Sequence, residues 1–364
     1  MDENRPQETQ NIGNKPAGQP LVCYVSISPV RGTRAAGARA RAHLARHPYF
    51  WKNPRPVTAT ILSEVPLPNL PSASGVEIIG STAYIVSDDA PLLYLLDAAT
   101  LAPVAQVELF ASADFGAGRI PKATKPDLES MAAVTSPGGA AGLLLCGSGA
   151  LPNRETGYFV GVPPAAASPE GATPRFVQRL NLSGLYAQLR THLPPGAVLN
   201  LEAAAATATA LLLLQRPVAS GPALLFELPL AATLAYLFEP RGAAPAPLRV
   251  LAFTLPTLAG HAAGFSGATY VAGQLLVTAS VEAATDAVAD GEVLGSFVGV
   301  LDLAPPSAAT FARLTWADGR AYLGKVEGLA VRRSLGPGQL EVLLVTDDDH
   351  GGSTALVAHI ALNS

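Results

Sequence analysis

Lysine is scarce in this sequence: 364 residues hold five, and after residue 55 only Lys122, Lys125 and Lys325 remain. Cysteine is scarcer still, with Cys23 and Cys146 alone. Two cysteines make one bridge at most, so a disulfide framework is excluded and free thiols of a reducing compartment are expected. Charged residues reach just 14%, yet 49% of the chain is hydrophobic, which excludes a largely disordered polypeptide. No apolar run approaches the ~20 residues of a membrane span; the leucine run "ALLLLQR" at 210–216 ends in a charge. No membrane partner is expected. The start carries acidic residues ahead of its short apolar patch and no small-residue cleavage site, so a cytoplasmic protein is expected, or an exported one if the N-terminus is misassigned.

Charge is unevenly spread. Residues 1–55 carry nine Lys/Arg against three Asp/Glu, and the remainder carries fifteen against twenty-five. The acidic body excludes nucleic acid as a partner, because phosphates would be repelled. The basic segment includes "RGTRAAGARARAHLARH" (31–47) and reads as an N-terminal extension, leaving residues 56–364 as the folded domain. His43 and His47 stand at i, i+4 there without a third metal ligand.

What is abundant is chain punctuation: 34 glycines and 32 prolines separate short apolar runs, the pattern of many strands joined by turns. An all-β fold is expected. Five degenerate units recur: "GVEIIGSTAYIVSDD" (75–89), "DLESMAAVTSPGGAAGLLLCGSG" (127–149), "NLEAAAATATALLLLQR" (200–216), "GFSGATYVAGQLLVTASVE" (264–282) and "KVEGLAVRRSLGPGQLEVLLVTDDD" (325–349). Irregular spacing with several strands per unit points to a single β-propeller, five blades favoured and six possible. The last unit supplies about three strands, while "VTATILSEVPL" (57–67) has no blade of its own. That N-terminal strand is expected to complete the last blade and remove the open edge. A helix is expected at "LSGLYAQLR" (182–190), whereas the Ala-rich "AAAATATALLLL" and "AATLAY" are read as strand-like despite their composition.

Blade geometry turns a repeated residue into a ring. Glu77, Glu129, Glu202 and Glu327 head the innermost strands, so their carboxylates are expected to converge on the channel, repel one another and require a cation. A hard divalent ion suits such oxygens. The polar residues ending each second strand return to the same face: Asp88 and Asp89, Ser148, Arg216, Glu282, and Asp347, Asp348 and Asp349. Lys125 in "KPDLE" and Lys325 in "KVE" stand beside the acids. Lys125, Arg216, Lys325, Asp88, Ser148, Glu282 and Asp348 are therefore the candidate ligand-binding residues, and the four glutamates the candidate metal ligands. "GFSGA" (264–268) approaches a nucleophile elbow but lacks its last glycine and leads into a strand rather than a helix. His261 and His350 are the imidazoles that could serve as bases at the mouth.

Repeats of the form "DLESMAAV", "NLEAAAAT" and "KVEGLAV" resemble the esterase-like, phytase-related β-propellers of bacteria over residues 57–362. The resemblance implies calcium bound by acidic residues at the channel mouth, here Glu77, Glu129, Glu202 and Glu327, and hydrolysis of esters or phosphoesters. The fourth unit departs from it, with "FSG" where the others have Glu. The expected function is a propeller whose acidic mouth binds a divalent cation or a small polar ligand, as a monomer. A calcium-dependent hydrolase of small esters or phosphoesters and a protein-interaction scaffold are the alternatives.

Overall fold

The computed structural model describes residues 57–163, 173–218, 221–283, 291–304 and 307–362; the basic segment 1–55, with His43, His47 and Cys23, lies outside them. The first strand, β1 (Val57–Pro66), belongs to the last sheet. Then four antiparallel sheets follow one another, each built from consecutive strands: β2 (Ala73–Ile79), β3 (Thr82–Ser87), β4 (Leu92–Asp97) and β5 (Pro103–Glu108); β6 (Leu128–Thr135), β7 (Ala141–Gly147), β8 (Thr156–Gly161) and β9 (Phe176–Asn181); β10 (Leu201–Ala206), β11 (Ala210–Gln215), β12 (Ala223–Pro229) and β13 (Arg249–Phe253); and, after the two-stranded pair β14 (Thr257–Leu258) and β15 (His261–Ala262), β16 (Gly264–Val271), β17 (Gln274–Glu282), β18 (Val293–Asp302) and β19 (Ala308–Arg313). The fifth sheet joins β20 (Thr315–Trp316), β21 (Lys325–Gly336), β22 (Gln339–Asp347) and β23 (Ser353–Leu362) to β1. This is a five-bladed β-propeller.

Ring closure follows the expected route. β1 runs antiparallel to β23, from Val57 opposite Leu362 to Pro66 opposite Thr354, so the first and last described strands share one blade. β20 adds a short parallel partner, Thr60 opposite Thr315, giving this blade a fifth strand. The pairing hides backbone donors and acceptors that an open ring would expose.

Each blade packs face-on against its neighbours, so inner strands bury both faces and lose the alternation of a half-exposed strand. β3 and β11 are buried throughout, while the outer β5 is largely exposed. Five apolar clusters fill the five spaces between neighbouring blades. Towards the axis the backbones nearly touch: a Cβ on Gly328 would lie 3.1 Å from Gly75 Cα, and one on Gly267 would lie 3.1 Å from Gly328 Cα. Glycine is required at 267 and 328 by this approach, which narrows the channel beneath the mouth.

The expected helix is α1 (Ser183–Arg190), which buries Leu185, Tyr186 and Leu189. "AAAATATALLLL" is strand-forming as expected, but "AATLAY" is not: it belongs to α2 (Leu230–Phe238). Pro229 at the N-cap sets the chain direction, alanine and leucine favour the helix, and Leu234 and Leu237 dock on the cluster between the second and third blades. No helix among the described residues is long and apolar enough to cross a membrane.

Candidate functional site

Every innermost strand breaks register at the same place, and β21 breaks it twice more farther along. The shared breaks skip Ser74, Glu129, Glu202, Ser266 and Glu327, each flanked by paired neighbours. A bulge leaves one residue without a cross-strand partner and re-aims its side chain. Here it supplies one residue per blade around the axis. The ring therefore holds three glutamates and two serines, and Glu77 is not a member. Glu77 lies three residues farther along β2, opposite Tyr84, away from the mouth. "SASGVEII" offers a glutamate close to the right spacing, but the small residue after the bulge, Gly75 in this blade, marks Ser74 as the equivalent. Ser74 instead ties blades together, donating its hydroxyl to the Leu128 carbonyl at 2.5 Å.

Two residues before each bulge stand Ser72, Asp127, Asn200, Gly264 and Lys325, and the second strand returns Asp88, Ser148, Arg216, Ser280 and Asp347 to their level. All of these but Ser72 and Ser148 line a cavity of about 890 Å³ at the channel mouth, whose lining includes eight carboxylates and six Lys/Arg side chains. Of the expected ligand-binding residues, Lys125, Arg216, Lys325, Asp88 and Glu282 line it. Ser148 is fully buried behind the wall and donates to Asp127 at 2.5 Å. Asp348 turns outward, accepting hydrogen bonds from the His350 and Gly352 amides at 2.8 and 2.7 Å to close its loop. Its neighbours Asp347 and Asp349 face the cavity in its place.

The charges fall into two groups. In the first, Lys125 is almost completely buried and pairs with Asp88, with Asp89 at 3.1 Å and with Asp127 at 3.3 Å. Arg119 completes Asp89 at 2.5 Å, and Arg154 completes Asp127 at 2.6 Å. Asp127 takes a left-handed φ of 57°, which aspartate tolerates better than most residues. In the second, Arg216 reaches across three blades to Glu282 at 2.8 Å, Glu202 at 3.6 Å and Glu327 at 3.7 Å. Lys325 pairs with Asp349, Glu282 and Glu327 at 3.1, 3.2 and 3.3 Å, and Asn200 donates to Glu202 at 2.6 Å.

Burial dominates the electrostatics. It pushes Glu327 up to about 8 against Lys325 and Arg216, with Glu202 and Glu282 reinforcing the rise. It pushes Asp88 up to about 7 despite Lys125. Glu129 is raised well above the carboxylate range by burial and by Glu202, Asp127 and Asp88, with Lys125 opposing. Burial also raises Glu202, whereas for Glu282 the desolvation is outweighed by Arg216 and Lys325 together, which hold it low. Glu129 shares a tight set with Asp88 and Asp127: one carboxylate oxygen from each lies within 4.8 Å of the others. The candidate metal ligands thus divide: Glu129 joins this set, Glu202 and Glu327 are engaged by Arg216, and Glu77 lies outside the cavity lining.

Arg119, Asp127, Arg154 and Asn200 were not apparent from the repeats. Asp127 and Asn200 stood two residues before glutamates already singled out, and that polar column was the readable signal. Arg119 and Arg154 come from inter-strand loops with no repeat to mark them. His261 lines the cavity, His350 is exposed, and Ser266 is fully buried with its hydroxyl 3.2 Å from that of Thr278, which removes it as a nucleophile open to a substrate.

The chain belongs to a family of unknown function (DUF6929), whose sequence model matches residues 69–360. No curated protein matches it. Among solved structures, it is similar to glutaminyl cyclase of Myxococcus xanthus (TM-score 0.43, 13% identity, covering 86% of this chain and 100% of that one). It is also similar to the PQQ-bound aldose sugar dehydrogenase of Streptomyces coelicolor (TM-score 0.37, 13% identity, 84% and 99% covered). A third is levansucrase of B. megaterium (TM-score 0.36, 9% identity, 79% and 78% covered).

Proposed function

We propose that the propeller mouth is a binding site for a hard divalent cation, calcium foremost, together with a small polar ligand. One observation carries this reading: Asp88, Asp127 and Glu129 bring carboxylate oxygens within 4.8 Å of one another, and Asp88 Oδ1 is buried without a hydrogen-bond partner. Such a donor set is all oxygen, which suits calcium or magnesium rather than a soft metal. Lys125 shares Asp88 and Asp127, so it is the built-in competitor of the ion. A cation bound here would supply positive charge to a ligand oxygen, the feature that calcium-assisted hydrolysis of a small ester or phosphoester requires.

Calorimetric titration with calcium tests the reading. Wild type is expected to bind one ion, and Glu129→Gln and Asp88→Asn to lose at least about tenfold in affinity, since each removes one charged ligand. No heat of binding with calcium or magnesium in the wild-type protein would overturn it. A silent panel of chromogenic esters and phosphoesters in the presence of the bound ion would confine the function to binding.

A further inference from the structure

We propose that the small polar ligand of this mouth is an acyclic polyol, an aliphatic chain bearing several hydroxyl groups; the proposal rests on reading the mouth as a ligand site. Two buried side-chain atoms on cavity-lining residues, besides Asp88 Oδ1 in the cation set, have no hydrogen-bond partner: the acceptor Glu327 Oε1 and the donor Arg154 Nε. A buried polar atom left unpaired is costly. One acceptor and one donor call for a group that can play both parts. A hydroxyl does, whereas an ammonium only donates and a carboxylate or phosphate oxygen only accepts.

The charges around these atoms narrow the choice. Glu327 is only 4% exposed, and its Oε1 lies 3.3 Å from Lys325 Nζ and 3.7 Å from Arg216 Nη1, both ion pairs in distance but neither a hydrogen bond in geometry. A further cation on that oxygen would sit against two existing ones. A neutral hydroxyl donates to it without that repulsion and can accept from Lys325 or Arg216 in return. Arg154 is similarly half-used: Nη1 holds Asp127, and Nε is left for the ligand.

The walls disfavour ligands held by ring stacking. Among the described residues no Phe, Tyr or Trp lines the cavity, so they offer no broad aromatic face for stacking a sugar ring or a base. Leu151, Val198, Pro217 and Val218 provide apolar surface for a carbon chain. At about 890 Å³, the space is within the range of small-molecule sites, roughly 300–1,000 Å³.

Ligand-observed saturation-transfer NMR and calorimetry with sorbitol test the proposal, with 1,6-diaminohexane and 1,6-hexanediol as charged and apolar controls. Thermal shift is unsuitable, because polyols stabilise proteins by exclusion from their surface. Saturation transfer is expected for sorbitol and not for either control. Measured at pH 9, where Glu327 is ionised, Arg154→Lys, which keeps the charge but lacks Nε, and Glu327→Gln should each weaken sorbitol binding about tenfold, the equivalent of one charge-assisted hydrogen bond. Circular dichroism verifies folding, and Arg154→Lys decides alone if Glu327→Gln is unfolded. No transfer to sorbitol, stronger transfer to the diamine, or sorbitol binding unaltered in folded Arg154→Lys would overturn the proposal. Calcium binding without sorbitol binding sinks the polyol and leaves the cation site standing; sorbitol binding without calcium binding does the reverse.

Discussion

The two halves of the mouth solve the same problem differently. Between the first and second blades, Lys125, Arg119 and Arg154 face Asp88, Asp89 and Asp127, three cations for three acids. Across the third, fourth and fifth blades, Arg216 and Lys325 serve Glu202, Glu282, Glu327 and Asp349, two cations for four acids. Glu129 stands between, near Asp88 and Asp127 on one side and repelled by Glu202 on the other. The first half has closed on itself around one buried ammonium, while in the second burial raises Glu202 and Glu327 and so offsets the shortage of cations. Their difference teaches that a carboxylate ring needs no single central cation: each half can be neutralised by its own side chains and by the protons that burial retains.

Removing the central cation of each half tests this most strongly. Lys125→Met leaves three buried carboxylates short of their shared partner and should cost about 3–5 kcal/mol of folding stability. Arg216→Met should cost less, about 2 kcal/mol, because Lys325 still holds Glu282 and Glu327. Urea unfolding without divalent ions measures both. Calcium should then restore stability to Lys125→Met more than to Arg216→Met, since the lost ammonium competes for the same oxygens. Equal costs, or calcium rescue of Arg216→Met alone, would break the division into halves.

The division was only partly visible before folding. The ring order, the five blades and the closing strand could be read because glutamate, glycine and apolar runs recur in step. The pairing of Lys125 and Lys325 with acids could be read because lysine is otherwise so rare. The register could not: a bulge adds one residue without a compositional mark, so Glu77 stood in for Ser74 and Asp348 for its two neighbours. Arg119 and Arg154 could not be assigned because loops carry no period. α2 was hidden for the opposite reason, since its alanines and leucines suit either structure and only docking on Leu211 and Phe226 of the adjoining core decides.

Glu77 sharpens the comparison from below the mouth. Burial pushes its carboxyl up to about 7, opposed only by backbone N–H groups of Ala133 and Ile78, whereas Asp88 on the same blade has Lys125. The ordinary value is 4.5, so the folded protein binds this proton more tightly than the unfolded chain does. Its ionisation therefore costs nothing below about pH 4.5, takes stability away progressively as pH rises to about 7, and costs a constant amount above. Glu77→Gln should stabilise the protein on the order of 2 kcal/mol at pH 8 and leave it unchanged at pH 4. A variant destabilised at pH 8 would show that the charged carboxylate is satisfied in place.

The smallest effect separates a ring position that holds blades together from one that holds a ligand. Ser74 and Glu129 occupy equivalent bulges in adjacent blades, yet the Ser74 hydroxyl spends itself on the Leu128 carbonyl, one residue from Glu129. Ser74→Ala removes that hydrogen bond and leaves a buried carbonyl short of one donor, a loss of about 1 kcal/mol. Because the Ser74 hydroxyl is engaged by the Leu128 carbonyl, calcium affinity should stay within about twofold while Glu129→Gln lowers it at least about tenfold. A tenfold loss in Ser74→Ala would mean that the Leu128 tether positions Glu129, and the two bulges would then be one functional unit rather than two.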